Sequence, residues 1–251
     1  MPPLSETLLP PAPHALGTLL PSANTVVERV TVAMLHGLGV APLFTRFAKR
    51  GATDPFPDSH DMDGLVAAAE LLADARPRAI VVSAGKGAVI GLEQDRALAD
   101  AIARRTGVPA TTPALALPDA LGALGVRRIA LIGPHDRGYN LRAARGLANA
   151  GIETVTEESL GITDNLAFAD VEAEAIAAMA RRAARAAGVE AIVAWNTNCA
   201  AAPLAAALEA ELGLPLLDAT ALGVWAGLRA ADVAARPGPA WGRLFALGES
   251  A

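Results

Sequence analysis

Apolar residues in this chain come as short strand-like runs and as longer stretches with helical spacing, and the two kinds alternate from end to end. Residues 1–13 hold five prolines and no apolar period, which reads as a loose tail. His14 to Leu20 forms a first strand, broken by Pro21-Ser-Ala-Asn-Thr25, and the helix 26–36 stops at Gly37 and Gly39. Val40 to Ala48 is a second strand entering the polar loop Lys49-Arg-Gly-Ala-Thr-Asp-Pro55, long enough to cover a site. Asp61 or Asp63 caps a helix over 64–75, and a third strand over 79–83 ends in the glycine-rich Ala84-Gly-Lys-Gly-Ala88. A helix over 94–105, the Gly107-Val-Pro turn, a short strand over 110–112 and a helix over 118–124 close the first cycle.

A second cycle follows. Its first strand covers 127–132 and opens into Gly133-Pro-His-Asp-Arg-Gly-Tyr-Asn140 and a helix over 141–150. A strand over 154–159, the loop Gly161-Ile-Thr-Asp-Asn165 and a long helix over 171–187 come next. The strand 191–195 then breaks into Asn196-Thr-Asn-Cys199, and a helix over 200–211 tolerates Pro203 in its first turn. Gly213-Leu-Pro215 echoes Gly107-Val-Pro before a last strand, 216–218, and a helix over 221–235. Pro21 and Pro134 each follow a first strand, and Gly85 and Cys199 each follow a third, both pairs being offset by roughly 113 residues. The pattern predicts an α/β chain of two pseudo-symmetric lobes, each a short parallel sheet flanked by helices. The N-terminal lobe covers 14–119 and the C-terminal lobe 120–220, with the helical segment 221–251 packing back on the first. Loops at the carboxyl ends of both sheets then face one cleft, the expected site.

Composition removes several function classes. A net charge of −5 and scattered arginines leave no basic footprint, so nucleic acid is not an expected partner. Alanine is the commonest residue in the 53% hydrophobic content, and uncharged stretches are cut by proline before they reach membrane-spanning length. No charged and apolar leader opens the chain and the single cysteine precludes an internal disulfide, so the expected location is the cytoplasm. His14, His36 and His60 show no metal-ligand spacing, and no metal is expected. A phosphate loop needs a glycine where Ile80 stands, and Gly85-Lys-Gly87 with Gly91 is one residue too long for a dinucleotide fingerprint, so no cofactor is expected. A homo-oligomer is left open.

Candidate chemistry centres on Cys199. A thiol just past a strand end and before a helix N-terminus is expected to have a lowered pKa, the alternative being a buried cysteine that acts as a small hydrophobe. Asn24 after Pro-Ser is a binding candidate that could instead cap the following helix, and His135 beside Asp136 a contact that could be a surface pair. Lys86 is either a carboxylate holder, or a desolvated base, or an exposed lysine.

Taken in order, Pro21-Ser-Ala-Asn-Thr25, the Pro134 to Asn140 loop, Gly161-Ile-Thr-Asp-Asn165 and the Cys199 loop resemble the aspartate/glutamate racemase superfamily, in its maleate isomerase and arylmalonate decarboxylase branch. The resemblance implies a cofactor-independent enzyme whose cysteine moves protons at a carbon next to a carboxylate. Two-cysteine members carry one thiol per lobe, whereas here the first-lobe position falls on Gly85, as in arylmalonate decarboxylase. The small hydroxyl residues that usually follow that glycine are replaced by Lys86 and Gly87, and the usual tyrosine of the proline loop by His135, with Tyr139 nearby. The implied function is an arylmalonate-decarboxylase-like lyase acting on a small carboxylic or dicarboxylic acid, with Cys199 as proton donor opposite Gly85. The alternatives are a maleate cis-trans isomerase, an amino-acid or hydantoin racemase-like isomerase, and a non-catalytic carboxylate binder. Catalytic candidates are Cys199 and Lys86. Substrate-binding candidates are Ser22, Asn24, Gly85, Gly87, His135, Tyr139, Asn140, Asn198 and the Ala200 amide, aimed at the charge that builds on an enediolate.

Overall fold

Each strand is followed by a helical crossover, and every strand pair is accordingly parallel. A computed structural model describes residues 12–49 and 58–246. The first lobe runs β1 (His14–Pro21), α1 (Val27–Leu35), β2 (Val40–Phe47), α2 (Met62–Ala73), β3 (Ala79–Val82), α3 (Gly87–Ile90), α4 (Leu92–Thr106), β4 (Ala110–Thr111) and α5 (Pro113–Leu124). The second runs β5 (Arg128–Gly133), α6 (Arg137–Ala148), β6 (Glu153–Ser159), α7 (Ala173–Ala183), β7 (Ala191–Ala194), α8 (Ala205–Leu212), β8 (Leu216–Asp218) and α9 (Ala219–Ala230). The sheets have the same order, β2-β1-β3-β4 and β6-β5-β7-β8, so the two-lobed α/β architecture expected from the pattern is the one observed. The loop expected over Lys49 to Pro55 lies mostly outside the described residues, as does most of the 1–13 tail.

Caps explain where helix boundaries depart from the apolar pattern. Thr112 accepts the Leu115 amide and Pro113 takes the first helical position, so α5 begins well before the expected 118 and contains Pro118. Asp136 accepts the Tyr139 amide, which places Tyr139 and Asn140 in the first turn of α6 instead of a loop. Asp218 accepts the Thr220 and Ala221 amides and starts α9 early; past Ala230 the chain continues in short 3₁₀ turns instead of a helix reaching 235. The helix expected over 200–211 is a 3₁₀ turn, Ala202–Leu204, followed by α8. α7 is shorter than the expected 171–187 and is preceded by a 3₁₀ turn over Ala167–Asp170.

Alternation along the buried strands divides the interior into three cores. Ile129, Leu131, Val193 and Leu217 share a central core with Leu16, Ala79 and Val81 of the first sheet, together with α5 and α9. The opposite face of the second sheet, Ala130, Ile132, Ile192 and Ala194, packs on α7 and α8. The opposite face of the first sheet, Ile80 and Val82, packs on α2 and α4. α9 lies on the first sheet through small residues: a Cβ at Gly227 would fall 2.6 Å from Val81 and 2.8 Å from Leu16.

The lobes also meet backbone to backbone where α6 crosses α3. A Cβ at Gly146 would lie 1.9 Å from the Ala88 carbonyl oxygen, a clash that only a shift of main chain could relieve. Gly146→Ala is therefore expected to cost about 2 kcal/mol and to lower the melting temperature by roughly 4–8 °C, measured by calorimetry. An unchanged transition would mean that α6 is free to slide on α3.

Candidate active site

The ends of β1, β3, β5 and β7 open on one cleft of about 400 Å³ between the lobes. Its first-lobe wall includes Asn24, Phe47, Lys49, Gly85 and Lys86, and its second-lobe wall includes His135, Tyr139, Phe168 and the turn Asn196-Thr197-Asn198. That turn fastens the lobes together. Thr197 Oγ1 accepts from Asn24 Nδ2 at 3.2 Å and donates to the Ser83 carbonyl at 3.4 Å. Asn198 Oδ1 accepts the Thr25 amide at 2.9 Å, and its Nδ2 donates to the Asn165 carbonyl at 2.7 Å. Trp195, fully buried, donates its indole N–H across the boundary to the Gly85 carbonyl at 2.9 Å. Asn24 also caps α1, its Oδ1 accepting the amides of Val26 and Val27. Asn24 and Asn198 thus line the cleft, but their amide groups are engaged in holding the lobes, and the capping reading of Asn24 holds.

His135 is buried and stacks on Tyr139 with ring centroids 3.6 Å apart. Asn198 N–H donates to Asn196 Oδ1, which turns Asn196 Nδ2 toward His135 Nε2 at 2.9 Å. A donor at Nε2 makes that nitrogen the acceptor and leaves the proton on Nδ1, a buried atom without a partner among the described residues. Burial, reinforced by the Lys49 charge, pulls the imidazole down to about 3. His135 is therefore a neutral wall of the cleft and not a surface partner of Asp136. Tyr139 is buried too, and desolvation raises its pKa, keeping the hydroxyl protonated.

Positive charge in the cleft comes from Lys49 and Lys86. Both are partly buried and both are lowered from the ordinary lysine value, chiefly by desolvation; each charge at Lys86 also feels that of Lys49. Lys86 donates to the Ser59 carbonyl. Ser22 is exposed and does not line the cleft; its hydroxyl bridges the Lys49 carbonyl and amide and so fixes the lysine's backbone. Gly85 lines the cleft, and a Cβ there would point at Trp195 Nε1, 3.2 Å away. Gly87 sits behind the wall, where a Cβ would fall 2.1 Å from Asp95 Oδ2. Asn140 lies outside the cleft and donates to the Glu158 carbonyl, and Ala200 packs against the central core.

The placement of Cys199 corrects the sequence expectation. It is buried on the outer face of the second sheet, with Ile132, Ile176, Met179 and Ala194, and is absent from the cleft lining. Burial first and the nearby Asp218 charge second push its thiol up to about 12, where a lowered value was expected. Strand register shows why. Val82 sits opposite Leu19 as Ala194 sits opposite Ile132, so the counterparts past the strand ends are Ala84 with Asn196 and Gly85 with Thr197. Cys199 lies three residues beyond Asn196, after the turn has already left the cleft, and does not oppose Gly85.

Three residues that the sequence reading passed over meet at the first-lobe wall. His60 lines the cleft and approaches Asp95 Oδ1 through Nε2 at 2.6 Å, while Thr112 Oγ1 donates to Asp95 Oδ2 at 2.5 Å. A signal existed: Asp95 stands on the same helical stripe as Leu98, Ala99 and Ile102, so its charge interrupts an apolar face.

Burial also sets opposite pH dependences. Asp218 is raised to about 7, so the folded state holds its proton more tightly than the unfolded chain and stability is lost as pH rises from about 4 to 7. His135, lowered to about 3, makes the unfolded chain the stronger proton binder, and stability is lost as pH falls from about 6.5 toward 3. Asp218→Asn retains the capping oxygen and is expected to gain stability over the parent by about 1.4 kcal/mol per unit of rising pH within that first window, measured by urea unfolding. Parallel curves for the two proteins would show Asp218 to be ionised throughout.

Known proteins share this architecture. The family described as arylmalonate decarboxylase matches residues 53–245. Arylmalonate decarboxylase of Bordetella bronchiseptica is 33% identical over 159 residues, which is 62% of this chain and 65% of that relative, short of two thirds of its length. A liganded arylmalonate decarboxylase double mutant, glycine to cysteine and cysteine to serine, superposes with a TM-score of 0.84 at 26% identity, covering 92% of this chain and 98% of its own. A cysteine-to-serine mutant of Nocardia farcinica maleate cis-trans isomerase, bearing a covalently bound succinylcysteine intermediate, gives 0.81 at 25% identity, covering 92% and 98%. With the family match running through most of both lobes and the cleft between them, the chain belongs to the arylmalonate decarboxylase family.

Proposed function

We propose that the cleft binds a small carboxylic or dicarboxylic acid and that the chain, without a cofactor, changes bonding at the carbon next to the carboxylate, with loss of carbon dioxide from an arylmalonate-like acid as the preferred reaction. The observation that carries the reading is the lysine pair. Two partly desolvated cations, Lys49 and Lys86, share a cleft whose other walls include Phe47, Leu65, Val82 and Phe168. Such a site attracts an anion and suits an acid with an apolar substituent. Decarboxylation leaves negative charge on an enediolate, and fixed cations in a low-dielectric cleft favour that charge over the ground state. Family membership supports the same chemistry.

Decarboxylation is preferred over the isomerase alternative because the cleft lining contains no thiol, and a covalent cysteine adduct of the kind named for the Nocardia enzyme has no anchor there. For the same reason the reading does not route the proton through Cys199. Ser22 acts on Lys49 rather than on substrate, and Gly87 on Asp95.

Phenylmalonate is expected to bind, and Lys49→Met and Lys86→Met each to weaken it about 10- to 100-fold, the worth of one charge-assisted contact, by calorimetric titration. A bound dianion raises both lysine pKa values, so complex formation at alkaline pH, where the free lysines begin to lose protons, should take up protons. Unchanged affinity in both variants would remove the carboxylate assignment, whereas binding without deuterium incorporation at the product's α-carbon in heavy water would leave only a binder. Cys199→Ala is expected to cost about 1 kcal/mol of stability while leaving affinity and turnover unaltered. Loss of turnover in the folded variant would return the thiol to the mechanism.

A further inference from the structure

The cleft needs a group that moves a proton, and its lining offers a candidate apart from the lysines. We propose that His60 is the proton-transfer residue of the cleft and that Asp95 is its orienting partner. The inference rests on the carboxylate reading above.

The pair is built rather than incidental. His60 Nε2 and Asp95 Oδ1 are 2.6 Å apart, with side chains only 4% and 2% exposed. The second carboxylate oxygen accepts from Thr112, whose own hydroxyl oxygen caps α5 by accepting the Leu115 amide. Asp95 stands on an apolar helix face, where an unpaired carboxylate would be expensive. Gly87 leaves the space that the carboxylate fills, since any Cβ at that position would overlap it. Three elements of the first lobe thus converge on one imidazole at the cleft wall.

The geometry fixes the chemistry of each nitrogen. With Nε2–H directed at Asp95, the other ring nitrogen, Nδ1, carries the lone pair when the ring is neutral and the mobile proton when it is cationic. Among the described residues Nδ1 has no hydrogen-bond partner. Asp95 selects the tautomer and orients the ring, the role a carboxylate plays wherever it partners a catalytic histidine. His135 cannot substitute, because its Nε2 faces Asn196 and burial holds it neutral.

In the proposed step the carbon–carboxylate bond of a malonate-type dianion breaks, carbon dioxide leaves, and the bonding pair stays on the α-carbon as an enediolate beside the lysines. The Nδ1 proton of the His60 imidazolium then passes to that carbon, giving the monocarboxylate and neutral imidazole, which solvent reprotonates. Charged and titratable neighbours of this corner are Asp58 and Asp61 on the same segment, Asp95 from α4, Lys86 before α3, Lys49 after β2, and Tyr139 and Arg142 from α6.

The test compares wild type, His60→Gln and Asp95→Asn with phenylmalonate in heavy water, following turnover, KM and α-deuterium, with ¹⁵N spectra of the histidines in parallel. His60→Gln should lower kcat at least about a hundredfold, the usual contribution of a general acid, with KM within about threefold. Asp95→Asn should lower kcat at an unchanged KM, because the ring loses the acceptor that orients it, and should shift the His60 tautomer. Turnover within about threefold in His60→Gln overturns the assignment, as does loss of kcat and malonate affinity together, which would mark His60 as structural. A His60 ring bearing its proton on Nδ1 in wild type also overturns it, whatever the substrate. If wild type binds malonate without turnover or exchange, the proton-transfer role falls and the carboxylate reading keeps its binding half; if it binds none, both fall.

Discussion

The structure depends on the buried polar turn Asn196-Thr197-Asn198, in which Thr197 and Asn198 bond across to the opposite lobe. All three residues are nearly excluded from solvent, and a buried amide or hydroxyl without a partner costs on the order of 1–3 kcal/mol. Asn24, Thr25 and Ser83 of the first lobe supply partners for Thr197 and Asn198, while Asn196 bonds His135 within its own lobe. The lobes are therefore tied to one separation by directional bonds at the rim of the cleft, and by the close crossing of Gly146 on Ala88 at another point. Apolar packing in the central core supplies attraction but no such register. The cleft keeps its dimensions because its wall residues are also its fasteners, which is why Asn24 and Asn198 have little hydrogen-bonding capacity left for a ligand.

With those amides engaged, charge selection in the cleft falls to other groups. His135 and Tyr139 are kept neutral by burial, and Cys199 is held as a thiol on the far side of the sheet. Lys49 and Lys86 remain on the cleft wall, incompletely hydrated, and the Lys49 charge depresses the protonation of Lys86 and His135. An anion would relieve both effects at once. The cleft thus joins two partly desolvated cations to neutral rings, with Asp58, Asp61 and Asp95 close to Lys86.

Most of the architecture was legible in the sequence because parallel strands buried on both faces give short apolar runs at regular intervals, and the two halves repeat the same order. Helix starts were legible where a cap stood just before an apolar stretch, as at Asp61, and misread where the cap preceded a proline or a polar first turn, as at Thr112 and Asp136. The site was legible only as a set of loops. Cys199 and Asn196 both follow β7, and nothing in local periodicity tells which residue of a turn still points into the cleft; that depends on strand register. His60 and Asp95 are 35 residues apart in the chain, a separation that no local pattern encodes. Asp95 on an apolar stripe was the one visible trace.

The glycine-rich turn after β3 shows how a departure from a family pattern can be read physically. Glycine at 85 lets the backbone carbonyl reach the Trp195 indole, and glycine at 87 makes room for the Asp95 carboxylate. Neither position has a positive φ, so close approach, and not backbone strain, accounts for both residues. Between them Lys86 projects into the cleft where related enzymes are expected to place small hydroxyl groups. A hydroxyl there could donate one hydrogen bond to an oxyanion, whereas a lysine brings a full charge, and the buried carboxylate behind it becomes tolerable in the same stroke because Lys86, His60 and Thr112 all offset it. These residues are coupled: a larger residue at 87 would expel Asp95, His60 would lose its partner, and Lys86 would face Lys49 with less compensation. The turn is thus one electrostatic unit, and its chemistry changes as a unit.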